Sequence, residues 1–138
     1  MTDSVQYRIR VENRFYRGEI GYRFTNPTGA TLSRTYCHNA PPPELEKNVG
    51  GRWVVAFHPA RLLCENIPPF RIAPRATYRG TLDFRAAQPG LAIYPHLEVD
   101  SIDGIYRLHW FLVVGAEPRA AGAATLEAIS NEFQLAER

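Results

Sequence analysis

The chain has 138 residues, 45% of them hydrophobic and 22% charged, which makes it one globular domain spanning 1–138 with a single core. Sixteen basic against fourteen acidic side chains leave a formal net charge of +2, which excludes the strongly basic footprint of a nucleic-acid binder. The longest apolar run, Trp110 to Val114 extended by Gly115 and Ala116, falls far below the roughly 20 residues of a membrane-spanning helix, so no span is expected.

Val5, Tyr7, Ile9 and Val11 alternate with Gln6, Arg8, Arg10 and Glu12, the period of two that marks a strand with one buried and one wet face. After Tyr16-Arg17-Gly18 a second alternating set, Ile20, Tyr22 and Phe24, stops at the turn Asn26-Pro27-Thr28-Gly29, so the two strands form a hairpin or a sheet-crossing pair. Thr31 to Cys37 reads as a third strand, ended by Pro41-Pro42-Pro43, which cannot donate to a ladder.

Leu45-Glu46-Lys47 and Trp53 to Phe57 flank Asn48-Val49-Gly50-Gly51, a hairpin turn, and Trp53 is expected to plug the core between sheets. His58 to Pro69 breaks the pattern, with prolines bracketing Cys64, and predicts irregular chain. Phe70 to Pro74 leads into a strand from Thr77 to Phe84, with Tyr78, Leu82 and Phe84 on one face.

Gln88-Pro89-Gly90 is a turn, Leu91 to Val99 predicts a short edge strand, and Asp100 to Gly104 turns the chain into its long penultimate strand. There Tyr106, Leu108, Trp110, Leu112 and Val114 line one side. Ile105, Arg107, His109, Phe111 and Val113 line the other and become apolar toward the end, as in a central strand covered on both faces. Ala116 to Ala128 predicts a helical turn or loop, and the last strand runs from Glu132 to Ala136.

Cys37 and Cys64 are the only cysteines, and neither lies in a CxxC pattern. They read as a disulfide worth roughly 3.5 kcal/mol through loop closure, or as two separate buried thiols in a reducing compartment. A bonded pair places the protein outside the cytoplasm, in periplasm, at the cell surface or secreted, with a leader absent from this chain because Met1-Thr2-Asp3-Ser4 opens without one. Reduced cysteines place it in the cytoplasm.

Three segments then carry a resemblance: Ile72-Ala73-Pro74-Arg75-Ala76-Thr77-Tyr78, Gly104-Ile105-Tyr106-Arg107-Leu108 after Asp103, and Ser130-Asn131-Glu132-Phe133. Together the chain resembles bacterial immunoglobulin-like β-sandwich domains, with their I-x-P-G-x-T, G-x-Y-R-L and S-N-x-F patterns, and neighbours the intracellular proteinase inhibitor-like sandwiches. Arg75 stands where that pattern has glycine, and Tyr36-Cys37 and Trp53 before Cys64 look like members whose middle is clamped by a cysteine pair. The resemblance implies an all-β fold, an immunoglobulin-like antiparallel β-sandwich of about 7–9 strands, and leaves the activity open.

The chemistry is sparse. His38, His58, His96 and His109 lack short ligand spacing, only His38 and His58 flank one region, and no metal or cofactor is expected. Glu98 with Asp100-x-x-Asp103-Gly104 reads as a turn rather than a calcium loop. Ser4, Ser33, Ser101 and Ser130 lie in no nucleophile motif, Cys37 and His38 diverge on a strand, and nucleotide-binding glycine patterns are absent, so no catalytic residue is named. Arg8, Arg10, Arg14, Arg17 and Arg23 form the one local excess of positive charge, either a solvated face or a surface for an acidic protein or lipid head groups.

The expectation is a non-catalytic module for protein–protein interaction, adhesion or a structural role in an extracytoplasmic assembly, with a protein partner or self-assembly. The alternative is a protease-inhibitor-like protein binding through the Pro-rich loop 59–69.

Overall fold

The alternation seen in the sequence folds into strands throughout. A computed structural model describes residues 1–35, 42–59 and 68–138, and the described residues contain no helix. Their ten strands are β1 (Gln6–Glu12), β2 (Phe15–Thr25), β3 (Leu32–Arg34), β4 (Glu44–Val49), β5 (Arg52–Phe57), β6 (Phe70–Ile72), β7 (Thr77–Ala87), β8 (Gly104–Val114), β9 (Thr125–Ile129) and β10 (Phe133–Glu137). They form one mixed sheet in the order β5-β4-β8-β10-β1-β2-β7, with β9 and β3 also on β8 and β6 on β3, curled into a half-barrel. No helix among the described residues is long and apolar enough to cross a membrane.

β8 is the hub because it is long and apolar enough to be paired along both edges. β4 and then β3 run antiparallel on one side, β10 and then β9 on the other. The pairing shifts by one residue between β9 and β10, and Ser130 fills the gap: its Oγ accepts from Leu108 N–H at 2.9 Å while its own N–H reaches Leu108 O at 3.0 Å. The neighbouring Asn131 anchors the N-terminus, its Oδ1 accepting from Thr2 N–H and its Nδ2 donating to Thr2 Oγ1, both at 2.8 Å.

β1 joins the two limbs of the curl. Gln6 to Ile9 pair in parallel with β10, whereas Arg10 to Glu12 pair antiparallel with β2. At the changeover Ile9 is 1% exposed, and Gly18 makes room for it, since a Cβ at Gly18 would lie 2.5 Å from Ile9 Cδ1. Asn13 and Arg14, both with positive φ (50° and 66°), make the two-residue turn into β2, as Gly50 and Gly51 (59° and 83°) do between β4 and β5.

The curl brings the limbs face to face around Trp110, which meets Tyr22, Phe24, Phe70 and Tyr78 at ring-centre separations of 5.6–5.9 Å. Phe57 on Phe84, 4.8 Å apart, closes the other part of the core. Burying side chains of this size contributes about 1.5–3 kcal/mol each, which holds the two limbs together.

Several expectations need correction. The sheet is mixed rather than antiparallel, because β1 and β10 run parallel. Val5 and Val11, at the two ends of this face, are exposed at 73% and 38%, because the core lies beneath its middle, where Ile9 is buried and Tyr7 packs on Phe133. Trp53 is not a core plug: β5 has a bulge between Val55 and Phe57, the inward face switches there, and Trp53 is left on the outside under the Arg107 guanidinium at 4.3 Å. Leu91 to Val99 forms no strand but a single parallel bridge, His96 to Ala87. Within Ala116 to Ala128, where a helical turn or loop is expected, the chain turns and then enters β9, which gains its ladder from β8. The third strand is the short β3, and Tyr36 and Cys37 lie outside the described residues.

Candidate functional site

The outer face of β1, β2 and β7 carries the charge. Inward-facing Tyr16, Ile20 and Tyr22 on β2, and Leu82, Phe84 and Ala86 on β7, are buried, so the residues between them face solvent. Register then fixes cross-strand rows: Arg10, Arg17 and Arg85; Glu19 and Asp83; Gly21 and Thr81; Arg23 and Arg79; Thr25 and Thr77.

Three arginines side by side in the first row form a concentrated positive strip. Arg17 Nε lies 3.0 Å from Glu12 Oε2, and the Arg85 guanidinium lies over the Phe15 ring at 5.0 Å. Arg8, Arg10 and Arg14 are exposed and have no ion-pair partner among the described residues. Register therefore brings Arg10 and Arg17 together and adds Arg85, which local sequence reading missed because only the β2–β7 pairing places it there; Arg8 lies two residues along β1 on the same face, and Arg14 lies in the turn between β1 and β2. Arg23 sits apart at the other end of β2, opposite Arg79, with its Nη2 3.4 Å from Met1 Sδ.

β7 is also an open edge. Ala87 N–H and C=O turn away from β2 to meet Pro95 O and Leu97 N–H, both at 2.9 Å. Alternation points the backbone groups of Thr77, Arg79, Thr81, Asp83 and Arg85 the same way, and no described residue pairs with them.

A second polar cluster lies on the outer face of β4, β8 and β9. Glu46 accepts from Arg107 Nε at 2.6 Å and from His109 Nδ1 at 2.8 Å, and Arg107 stacks on Trp53. Burial raises the Glu46 carboxyl pKa, but the hydrogen bonds from His109 and Arg107 outweigh it and hold the group below its ordinary value. His109 Nε2 is buried and has no hydrogen-bond partner among the described residues, 3.7 Å from Glu127 Oε1, and the ring packs on Phe111 at 4.2 Å. The arrangement can orient an imidazole, and among the described residues no hydroxyl or thiol lies in bonding reach of Nε2.

Among the described residues no three His, Cys, Asp or Glu side chains converge on a point. His58 pairs with Glu44 at 3.3 Å and His96 with Glu98 at 3.4 Å. Cys37, His38 and Cys64 lie outside the described residues, as does 60–67, the greater part of the Pro-rich loop 59–69. Comparison of the chain with family models, curated proteins and solved structures gives no match.

Proposed function

We propose that the protein is a non-catalytic, immunoglobulin-like β-sandwich module that binds an acidic protein segment through the outer face of β1, β2 and β7, as part of an extracytoplasmic assembly. The observation that carries this reading is the Arg10–Arg17–Arg85 row with exposed Arg8 beside it, three cations abreast on one face, with Glu12 paired to Arg17 and the Glu19–Asp83 row bordering them on one side. The immunoglobulin-like part is supported by strand succession. β4, β8 and β10 neighbour one another as strands C, F and G do in such domains, β5 takes the place of C′, and β2 lies beside β7 as B lies beside E. Tyr106, near the start of β8, donates its hydroxyl to Ile102 O at 2.8 Å, the geometry of a tyrosine corner. The buried tryptophan departs from that pattern, standing on β8 instead of the strand equivalent to C.

The test is calorimetric titration of the intact chain with a glutamate-rich peptide, beside the variant Arg8→Ser/Arg10→Ser. The expected result is salt-sensitive binding that the variant weakens by about tenfold. No binding by the unaltered chain, or equal binding by the variant, overturns the reading; binding of anionic vesicles in place of the peptide assigns the face to lipid head groups.

A further inference from the structure

We propose that β7 pairs antiparallel with β7 of a second copy of this chain, in a register centred on Thr81, to make one continuous sheet across two molecules. The proposal rests on the reading of the chain as an interaction module and names one of its partners.

Arg79, Thr81 and Asp83 present N–H and C=O groups on the side away from β2 that no described residue pairs with. An edge of this kind accepts another strand unless its side chains forbid it. A two-fold axis at Thr81 sets Arg79 of one copy opposite Asp83 of the other, and by symmetry Asp83 opposite Arg79. Arg79, Thr81 and Asp83 then all fall at hydrogen-bonded positions, each pair exchanging two backbone bonds. Moving the centre to Leu82 sets Arg79 against Arg85 of the second copy. Moving it to Gly80 leaves Arg79 and Asp83 facing threonines. Charge therefore selects the Thr81 register.

The β2 neighbours reinforce the choice. Within one molecule Arg23 faces Arg79 and Glu19 faces Asp83, two like-charge cross-strand pairs, and none of the four has an ion-pair partner among the described residues. Like charges directly opposite are destabilising in a sheet. In the proposed pair each row becomes Arg23, Arg79, then Asp83 and Glu19 of the second copy, two cations meeting two anions. The segment is unfavourable alone and self-complementary when doubled. In the same register Arg85 falls opposite Thr77 of the second copy, so the Arg10–Arg17–Arg85 row gains only a neutral neighbour and keeps its solvent face open to an acidic partner.

An edge-only contact belongs to the small interface class, below about 1,200 Å², so dissociation is expected at roughly 10–100 µM. The experiment is sedimentation equilibrium of the intact chain, of Arg79→Asp, of Asp83→Arg, and of an equimolar mixture of the two variants, with far-UV circular dichroism to verify folding. The average mass of the unaltered chain should rise with concentration from 15.6 kDa toward twice that value. Each variant repels itself and should stay at one chain mass. The mixture should recover the doubled mass, because an all-acidic edge then meets an all-basic one. If a single variant fails to fold, the double exchange R79D/D83R keeps the complementary register and should dimerise like the unaltered chain.

An unaltered chain that stays monomeric up to about 1 mM overturns the proposal. Single variants that still dimerise, or a folded mixture that does not, overturn it as well. Acidic-peptide binding is read at Arg8 and Arg10, so a monomer that still binds the peptide refutes the strand pairing and leaves the interaction module standing.

Discussion

Arg23 and Arg79 stand directly opposite each other on β2 and β7, with the same charge and no carboxylate paired to either among the described residues. In a dilute solution of single chains this pair opposes folding. Arg79→Thr is therefore expected to raise stability by about 0.5 kcal/mol at low salt, with the gain fading as salt screens the repulsion. Chemical denaturation at low protein concentration across a salt series checks it. An equal or lower stability for the variant at low salt contradicts the assignment.

Arg75 occupies the left-handed region with φ of 62°, at the position where the resembled pattern carries glycine. An L side chain there carries strain that glycine does not, and the guanidinium offsets part of it by donating to Pro27 O. Arg75→Gly is expected to stabilise the chain by about 1 kcal/mol, since the relieved strain exceeds the added freedom of the unfolded chain. The readout is the thermal midpoint, which should rise by about 2–4 °C.

Asn26 is completely buried and ties two turns together. Its Nδ2 donates to Ala30 O at 2.8 Å, Ile72 O at 3.2 Å and Ala73 O at 3.1 Å, and its Oδ1 accepts from Thr28 N–H at 2.9 Å and Thr28 Oγ1 at 2.8 Å. Asn26→Ala leaves these carbonyls and donors without partners inside the protein and should cost about 2–4 kcal/mol, measured by urea denaturation. A loss below about 1 kcal/mol would show that water replaces the side chain at no great cost.

Glu46 gives the fold a pH dependence. Burial raises its pKa, yet the hydrogen bonds from His109 and Arg107 win and hold it below the ordinary 4.5. A carboxylate depressed in the folded state contributes stability that is complete above its unfolded pKa and lost as the pH falls through the folded one. Glu46→Gln should therefore destabilise by about 1–3 kcal/mol at neutral pH, and the difference from the unaltered chain should shrink on acidification below about pH 4.5. A gap between the two that is constant from neutral to acid contradicts the role of the ionised carboxylate.

What the sequence reveals follows from how local each cause is. β2, β7 and β8 are readable because each is 11 residues long and one face stays on the core throughout. Trp53 misleads because a single-residue bulge reverses the face of β5, and alternation carries no sign of where a bulge falls. β9 is hidden because its inward residues are Leu126 and the small Ala128, so its pairing comes from the exposed edge of β8 and not from its own pattern.

The same distinction applies to the site. Arg8, Arg10, Arg14 and Arg17 are neighbours in sequence and read as one patch from the sequence itself. Arg85, Arg79 and Asp83 join the same face only through an eleven-row register with β2, a non-local relation that residue types alone do not encode. Asn26 was legible as a turn residue, whereas its reach to Ile72 and Ala73 depends on how the two limbs close.

The most direct measurement is the mass of the native particle from its source, by light scattering before any dissociation. The expected result is a particle larger than one 15.6 kDa chain that loses mass when Arg8 and Arg10, or Arg79, are replaced. A particle of a single chain's mass at all working concentrations contradicts a role in assembly.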